Sequence, residues 1–140
     1  RGGELRETTV MFSDIRGFSL FSEGMPPEQL AAFLGEYLTP MTELVLASGG
    51  TLDKYIGDAV MAIWGAPIDV PDHAARACEV ALKMQEALVS MNKVWAKAGK
   101  PAVAIGVGER GDRLAALRPL ERDRPAHALG QRLGQGEPEA

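Results

Sequence analysis

The chain opens its pattern with a short apolar run, Thr8 to Phe12 (TTVMF), rich in β-branched residues and of the kind that makes a buried strand. Ser13-Asp14 ends that run, and Gly17 marks a loop. Pro26-Pro27-Glu28 reads as a helix entry. Proline fits a first turn, and an acid there is favoured by the helix dipole. Leu30, Leu34, Tyr37, Leu38, Met41, Leu44 and Val45 then recur at helical spacing. Pro40 interrupts this stripe and is expected to kink the helix. Gly49-Gly50 stops it.

A hairpin is expected next. Leu52 to Ile56 and Ala59 to Trp64 are its strands, and Gly57-Asp58 is a two-residue connection. Pro67 and Pro71 punctuate a loop, and Asp72 is placed to N-cap a long helix. Ala77, Ala81, Met84, Leu88, Met91 and Trp95 form the apolar stripe of that helix, and Gly99 ends it. Cys78 is expected on the same buried face. Val103 to Val107 (VAIGV) is a further buried-strand candidate. The order β-α-β-β-α-β is that of an α+β, ferredoxin-like sheet with helices on one face.

After Gly108 the pattern stops. Residues 109–140 use nine residue types, and six of the arginines but none of the five lysines fall there. With no β-branched or aromatic residue, no strand is expected. Two readings stay open. One is a low-complexity tail. The other is a GC-rich gene read out of frame, since all nine types have codons that begin with G or C. The domain reading is therefore 1–108 as one folded domain and 109–140 as an atypical tail.

Bulk properties narrow the function classes. A length of 140 residues suits one domain, and the balance of 46% hydrophobic to 24% charged residues suits a globular core. The net charge of −4 argues against nonspecific binding to nucleic acid or anionic lipid, so no nucleic-acid partner is expected. One cysteine, Cys78, rules out a disulfide framework and suits a reducing, cytoplasmic compartment. No apolar run is expected to span a membrane, and no signal peptide is evident. The chain begins at Arg1, so a longer parent is expected, with room for a membrane anchor ahead of it.

Two acids stand out as chemistry. Asp14 follows the first strand, and Asp58 sits in the hairpin turn. In this strand order both carboxylates can meet at one end of the sheet. Two carboxylates plus phosphate oxygens are how proteins usually hold Mg²⁺. Between the acids in sequence, Ile15-Arg16-Gly17-Phe18-Ser19 offers backbone N–H groups around a glycine, a loop able to cradle a polyphosphate. By spacing alone, an Asp after a strand or in a hairpin is more often a turn or cap residue, and Lys54 more often a solvated strand lysine. His73 and His127 have no partner at metal-ligand spacing, and no Ser-His-Asp or Cys-His arrangement is present.

The segments "TVMFSDIRGFS" at 9–19 and "GGTLDKYIGDAVMAIWGAP" at 49–67 change those odds. Together with "DHAARACEVALKMQ" and "AVAIGVG", they resemble the class III nucleotidyl cyclase catalytic domain over about residues 3–108. The resemblance implies two Mg²⁺ or Mn²⁺ ions bound by Asp14, the Ile15 carbonyl and Asp58. It implies a triphosphate met by Ile15, Arg16, Gly17 and Phe18, and an adenine ring read by Lys54. The implied reaction is ATP to 3′,5′-cyclic AMP and pyrophosphate, GTP being the other candidate substrate. The site would form between two copies of the chain. The family continues past this point with a strand pair and a helix whose Asn and Arg serve the partner's site. Residues 109–140 carry no such motif, so the resemblance implies a fold incomplete at its C-terminal end and an inactive or weak enzyme. The alternative is a noncatalytic module that dimerises or binds nucleotide.

Overall fold

The structure, a computed structural model, describes residues 5–111, with the backbone alone for 109–111. The readings of the tail beyond Gly111 lie outside the described residues. The elements run β1 (Thr9–Ile15), α1 (Phe18–Glu23), α2 (Pro27–Ala47), β2 (Thr51–Ile56), β3 (Ala59–Trp64), α3 (His73–Lys97) and β4 (Ile105–Gly111). The strands form one sheet in the order β2-β3-β1-β4, and each neighbouring pair is antiparallel. This is the expected ferredoxin-like α+β arrangement with one added short helix, α1.

The helices α2 and α3 cover one face. From β1, Met11, Ser13 and Ile15 point into that layer and are buried; from β3, Val60, Ala62 and Trp64 do the same. Phe12 and Asp14 point the other way and are exposed. The helices meet the sheet through residues four apart on α2 (Phe33, Tyr37, Met41, Val45) and through Ala77, Val80, Ala81, Met84, Leu88 and Trp95 of α3. Tyr37, Met41 and Val45 belong to the expected stripe; Phe33 does not, and the stripe's Leu34, Leu38 and Leu44 are only partly buried.

Trp64 ties the layers together. It is fully buried, and its indole N–H donates to Ser48 Oγ at 2.8 Å at the end of α2. Gly50 lies flat against its ring. A Cβ at that position would stand 2.6 Å from Trp64 Cε2, so only glycine lets β2 start there. On the far side Asn92 of α3 clamps the chain entering β4. Its Nδ2 donates to the Val103 carbonyl at 2.7 Å, and its Oδ1 accepts from the Val103 N–H at 2.8 Å.

Several expectations are corrected. The first strand does not end at Ser13-Asp14: it runs through Asp14 to Ile15, because β3 and β4 flank it on both sides. The last strand continues from Val107 to Gly111 although Gly-Glu-Arg-Gly has no β-forming residue, since β1 supplies a partner at every position from Thr9 to Ile15. Helix α2 continues through Pro40 to Ala47 and is not interrupted there. Asp72 occupies the N-cap position but makes no capping hydrogen bond; it pairs with Arg76 at 2.8 Å. Cys78 is half-buried rather than core. By length and composition α2, with 21 residues and a mean hydropathy of 1.2, could cross a membrane, contrary to expectation. Here it instead lays one face on the sheet and keeps Glu28, Glu36 and Glu43 outside.

Candidate functional site: two acids at one sheet end

Antiparallel pairing of β1 with β3 puts the end of one strand beside the start of the other. Ser13 faces Val60, so Asp14 and Ile15 come level with the hairpin tip. Asp58 turns back across that gap. Its Oδ2 accepts the Ile15 N–H at 2.7 Å. That N–H belongs to the peptide joining Asp14 to Ile15, so the Asp58 carboxylate is anchored on the backbone link that follows Asp14.

The surroundings carry the mark of both charges. Tyr37 of α2 is fully buried beneath this end of the sheet. Burial pushes its phenol far above the ordinary tyrosine range; the nearby Ser13 hydroxyl pulls it back, and the Asp58 and Asp14 carboxylates push it up further. Ser13 Oγ and Tyr37 Oη are close enough to influence each other, yet neither has a partner in hydrogen-bonding geometry. By spacing Tyr37 is a stripe residue, and nothing in that spacing marks it as lying under the acids.

The loop after Asp14 is less open than expected. The Ile15 N–H is taken by Asp58, and the Arg16 N–H donates to the Ala104 carbonyl at 2.8 Å. Gly17 then takes the left-handed conformation (φ 63°) that turns β1 into α1, a region side chains other than glycine rarely adopt. The first hydrogen bond of α1 runs from the Phe21 N–H to the Gly17 carbonyl. The N–H groups from Phe18 onward in that first turn have no intrahelical acceptor. The Phe18 side chain itself packs against the core. Arg16 is exposed.

Lys54 lies on the same sheet face as Asp14. It pairs across the sheet with Met61, which pairs with Phe12, the open-face neighbour of Asp14. Its ammonium sits 3.4 Å from Asp53 Oδ2. Among the described residues no group of three or more His, Cys, Asp or Glu could cage a metal. The donors at hand are two carboxylates and a backbone carbonyl, all hard oxygens. They fit Mg²⁺ or Mn²⁺, which take one or two carboxylates and leave the remaining positions to water and phosphate. None of these residues lines the cleft of about 280 Å³ near Arg6 and His73, or the one of about 370 Å³ near Ser48 and Arg76. The acids stand on an open face.

The sequence profile of the adenylate and guanylate cyclase catalytic domain matches residues 3–115. The chain belongs to this family. It is 41% identical over 96 residues to Adenylate cyclase 1 of Rhizobium meliloti (strain 1021), an alignment covering 69% of this chain and 14% of that protein. Among solved structures it is similar to the guanylyl cyclase Cya2, with a TM-score of 0.74 and 34% identity over 79% of this chain and 56% of that one. It is also similar to the adenylyl cyclase CyaB of P. aeruginosa, with a TM-score of 0.71 and 34% identity over 76% and 56%. The chain thus spans a small part of its full-length relative and just over half of each solved cyclase domain.

Proposed function

We propose that this cyclase domain binds ATP with two Mg²⁺ or Mn²⁺ ions and converts it to 3′,5′-cyclic AMP and pyrophosphate, and that this chain does so weakly by itself. The observation that supports the reading most is the Asp58 carboxylate anchored on the Asp14–Ile15 peptide. Asp14, Asp58 and the Ile15 carbonyl would hold the ions. Bound there, they would lower the pKa of the ribose 3′-hydroxyl and neutralise the triphosphate.

The chain's own groups do the rest. The Ile15 N–H fixes one oxygen of Asp58 and leaves the other for a ligand. The turn from Arg16 through Gly17 to Phe18 brings the first N–H groups of α1 to the phosphates, with the positive end of the helix dipole behind them. Lys54 offers three N–H donors to the base. Adenine N1 accepts such a bond, whereas guanine N1 carries a hydrogen. In the reaction the 3′-hydroxyl gives up its proton to solvent, its oxygen forms a bond to the α-phosphorus, the α–β bridging P–O bond breaks, and pyrophosphate leaves with its electron pair.

The exposed apolar side chains on the Asp14 face support a two-chain site. Phe12 is 45% exposed and Ile56 54% exposed, on the face that the helices leave uncovered. A homodimer would cover them and close the site. The same proposal keeps 1–108 as the domain and 109–140 as a tail, the final residues of β4 apart, and places the domain in the cytoplasm, alone or attached to a membrane-anchored parent.

One observation favours the noncatalytic reading. The sequence holds a single asparagine, Asn92, and its amide is fully engaged with Val103. It is not available to steady a transition state in a partner's site. Loss of one such contact costs about 10²–10³ in rate. The purified chain is therefore expected to bind ATP with Mn²⁺ and to form cyclic AMP slowly or not at all. Turnover at ordinary cyclase rates would refute the assignment of weak activity, and absence of ATP binding would refute the site.

A further inference from the structure

Strand β2 meets β3 with one residue too many. Thr51 pairs with Ile63, Leu52 with Ala62, Lys54 with Met61 and Tyr55 with Val60, which leaves Asp53 without a partner. In a regular strand Leu52 and Lys54, two apart, would share a face. Here they do not. Leu52 stands beside Ala62, which is buried toward the helices, whereas Lys54 stands beside Met61 on the opposite face. The phase after the bulge is fixed independently: Tyr55 turns to the helix side, where its hydroxyl hydrogen-bonds Thr42 Oγ1 of α2 at 2.6 Å.

Continuing the register of Thr51 and Leu52 without the bulge, with Asp53 opposite Met61, would pair Lys54 with Val60. Its ammonium would then point under α2, among the buried side chains, while Tyr55 would take the open face. A β-bulge is a known device for re-aiming a side chain. At this bulge it places Lys54 in the row Lys54–Met61–Phe12, on the face that Asp14, two residues on from Phe12, also carries.

The side chain of the inserted residue adds a second effect. Asp53 Oδ2 lies 3.4 Å from Lys54 Nζ, with 35% of the Asp53 side chain and 58% of the Lys54 side chain exposed. Such a pair contributes little to folding. It does restrict a four-carbon stem that would otherwise sample many rotamers.

We propose that Asp53 is a specificity-positioning residue: bulged out of the pairing, it leaves Lys54 on the face that carries Asp14, and its carboxylate holds the ammonium where the edge of a purine is read. The proposal rests on the reading of Lys54 as the base-reading residue. Its signature is nucleotide preference rather than stability.

The test is equilibrium titration of the full 140-residue chain with ATP and with GTP in Mn²⁺, read as the ratio of the two dissociation constants. Lys54→Ala is expected to bring the ratio close to one. Asp53→Asn is expected to reduce the preference for ATP about two- to fivefold, the range an exposed ion pair supplies. In the Lys54→Ala background, Asp53→Asn should change nothing, because the two act as one unit. Deletion of Asp53, checked for folding by circular dichroism, leaves a regular strand with Lys54 still opposite Met61, and should lower the preference only as far as Asp53→Asn does.

If Asp53→Asn keeps the native ratio, or weakens both nucleotides equally, while Lys54→Ala collapses it, the positioning role is refuted and the Lys54 reading survives. A folded deletion variant that keeps the native ratio likewise refutes the positioning role. If Lys54→Ala itself leaves the ratio unchanged, the base-reading assignment fails and the positioning role goes with it.

Discussion

On β1, Met11, Ser13 and Ile15 face the helices, and Phe12 and Asp14 face away. The two faces of one strand are built to different ends. The helix side is closed: Trp64, Tyr37, Met41 and Met84 are fully buried there, and the polar groups of Trp64 and Trp95 find partners in Ser48 and Glu36. The open side keeps an acid, a lysine and exposed apolar side chains together without covering any of them. Burial on one face fixes the register, and the alternation of the strand then delivers Asp14 to the other. The site is thus a by-product of the core's register, and the sharpest contrast between the faces is in what a substitution should cost.

The largest effect is expected on the closed side. Trp64→Ala removes a buried indole and its bond to Ser48, and should cost about 3–5 kcal/mol in urea unfolding. A loss below about 1 kcal/mol would mean that the layers are not held as described. Asn92→Ala comes next. It strips both polar groups of Val103 of their partner and should cost about 1–3 kcal/mol by the same measurement.

A smaller effect concerns Glu36 at the outer edge of the closed side. The indole N–H of Trp95 and the ammonium of Lys100 hold its carboxyl below the ordinary value of 4.5. A depressed folded pKa means the contribution is complete above that ordinary value and is lost as pH falls through the folded one. The stability advantage of the native chain over Glu36→Gln should therefore shrink as pH drops below 4.5. A constant difference across that window would contradict the network. The smallest effect belongs to the open side. Phe12→Ser should change monomer stability by no more than about 0.5 kcal/mol, yet lower the dimer fraction in sedimentation; a large stability loss would mean the face is not free.

The same contrast explains what could be read in advance. The closed side imposes periodicity, so β1, the hairpin and both long helices were legible from spacing. Asp14 and Asp58 follow a strand and fill a turn, positions that by themselves mark cap or turn residues; the segments around them are what singled them out. The six residues of α1 are too few to show a period, and the helix begins on a left-handed glycine. The extension of β4 to Gly111 has no local cause, since the partner strand alone creates it. The bulge at Asp53 leaves no mark in a sequence whose alternation simply slips by one residue. Occupation of the Ile15 and Arg16 N–H groups depends on a carboxylate 43 residues away and on Ala104, the residue before β4. Spacing cannot show this.

The central claim is that Asp14 and Asp58 act together on divalent cations beneath a nucleotide. The direct measurement is isothermal titration of Mn²⁺ into the chain saturated with an ATP analogue that lacks the 3′-hydroxyl. Asp14→Asn and Asp58→Asn are compared with the native chain, the second keeping an amide oxygen for the Ile15 N–H. Each variant is predicted to fold and to lose Mn²⁺ affinity by about tenfold or more. Native-like Mn²⁺ binding by either one would contradict the account.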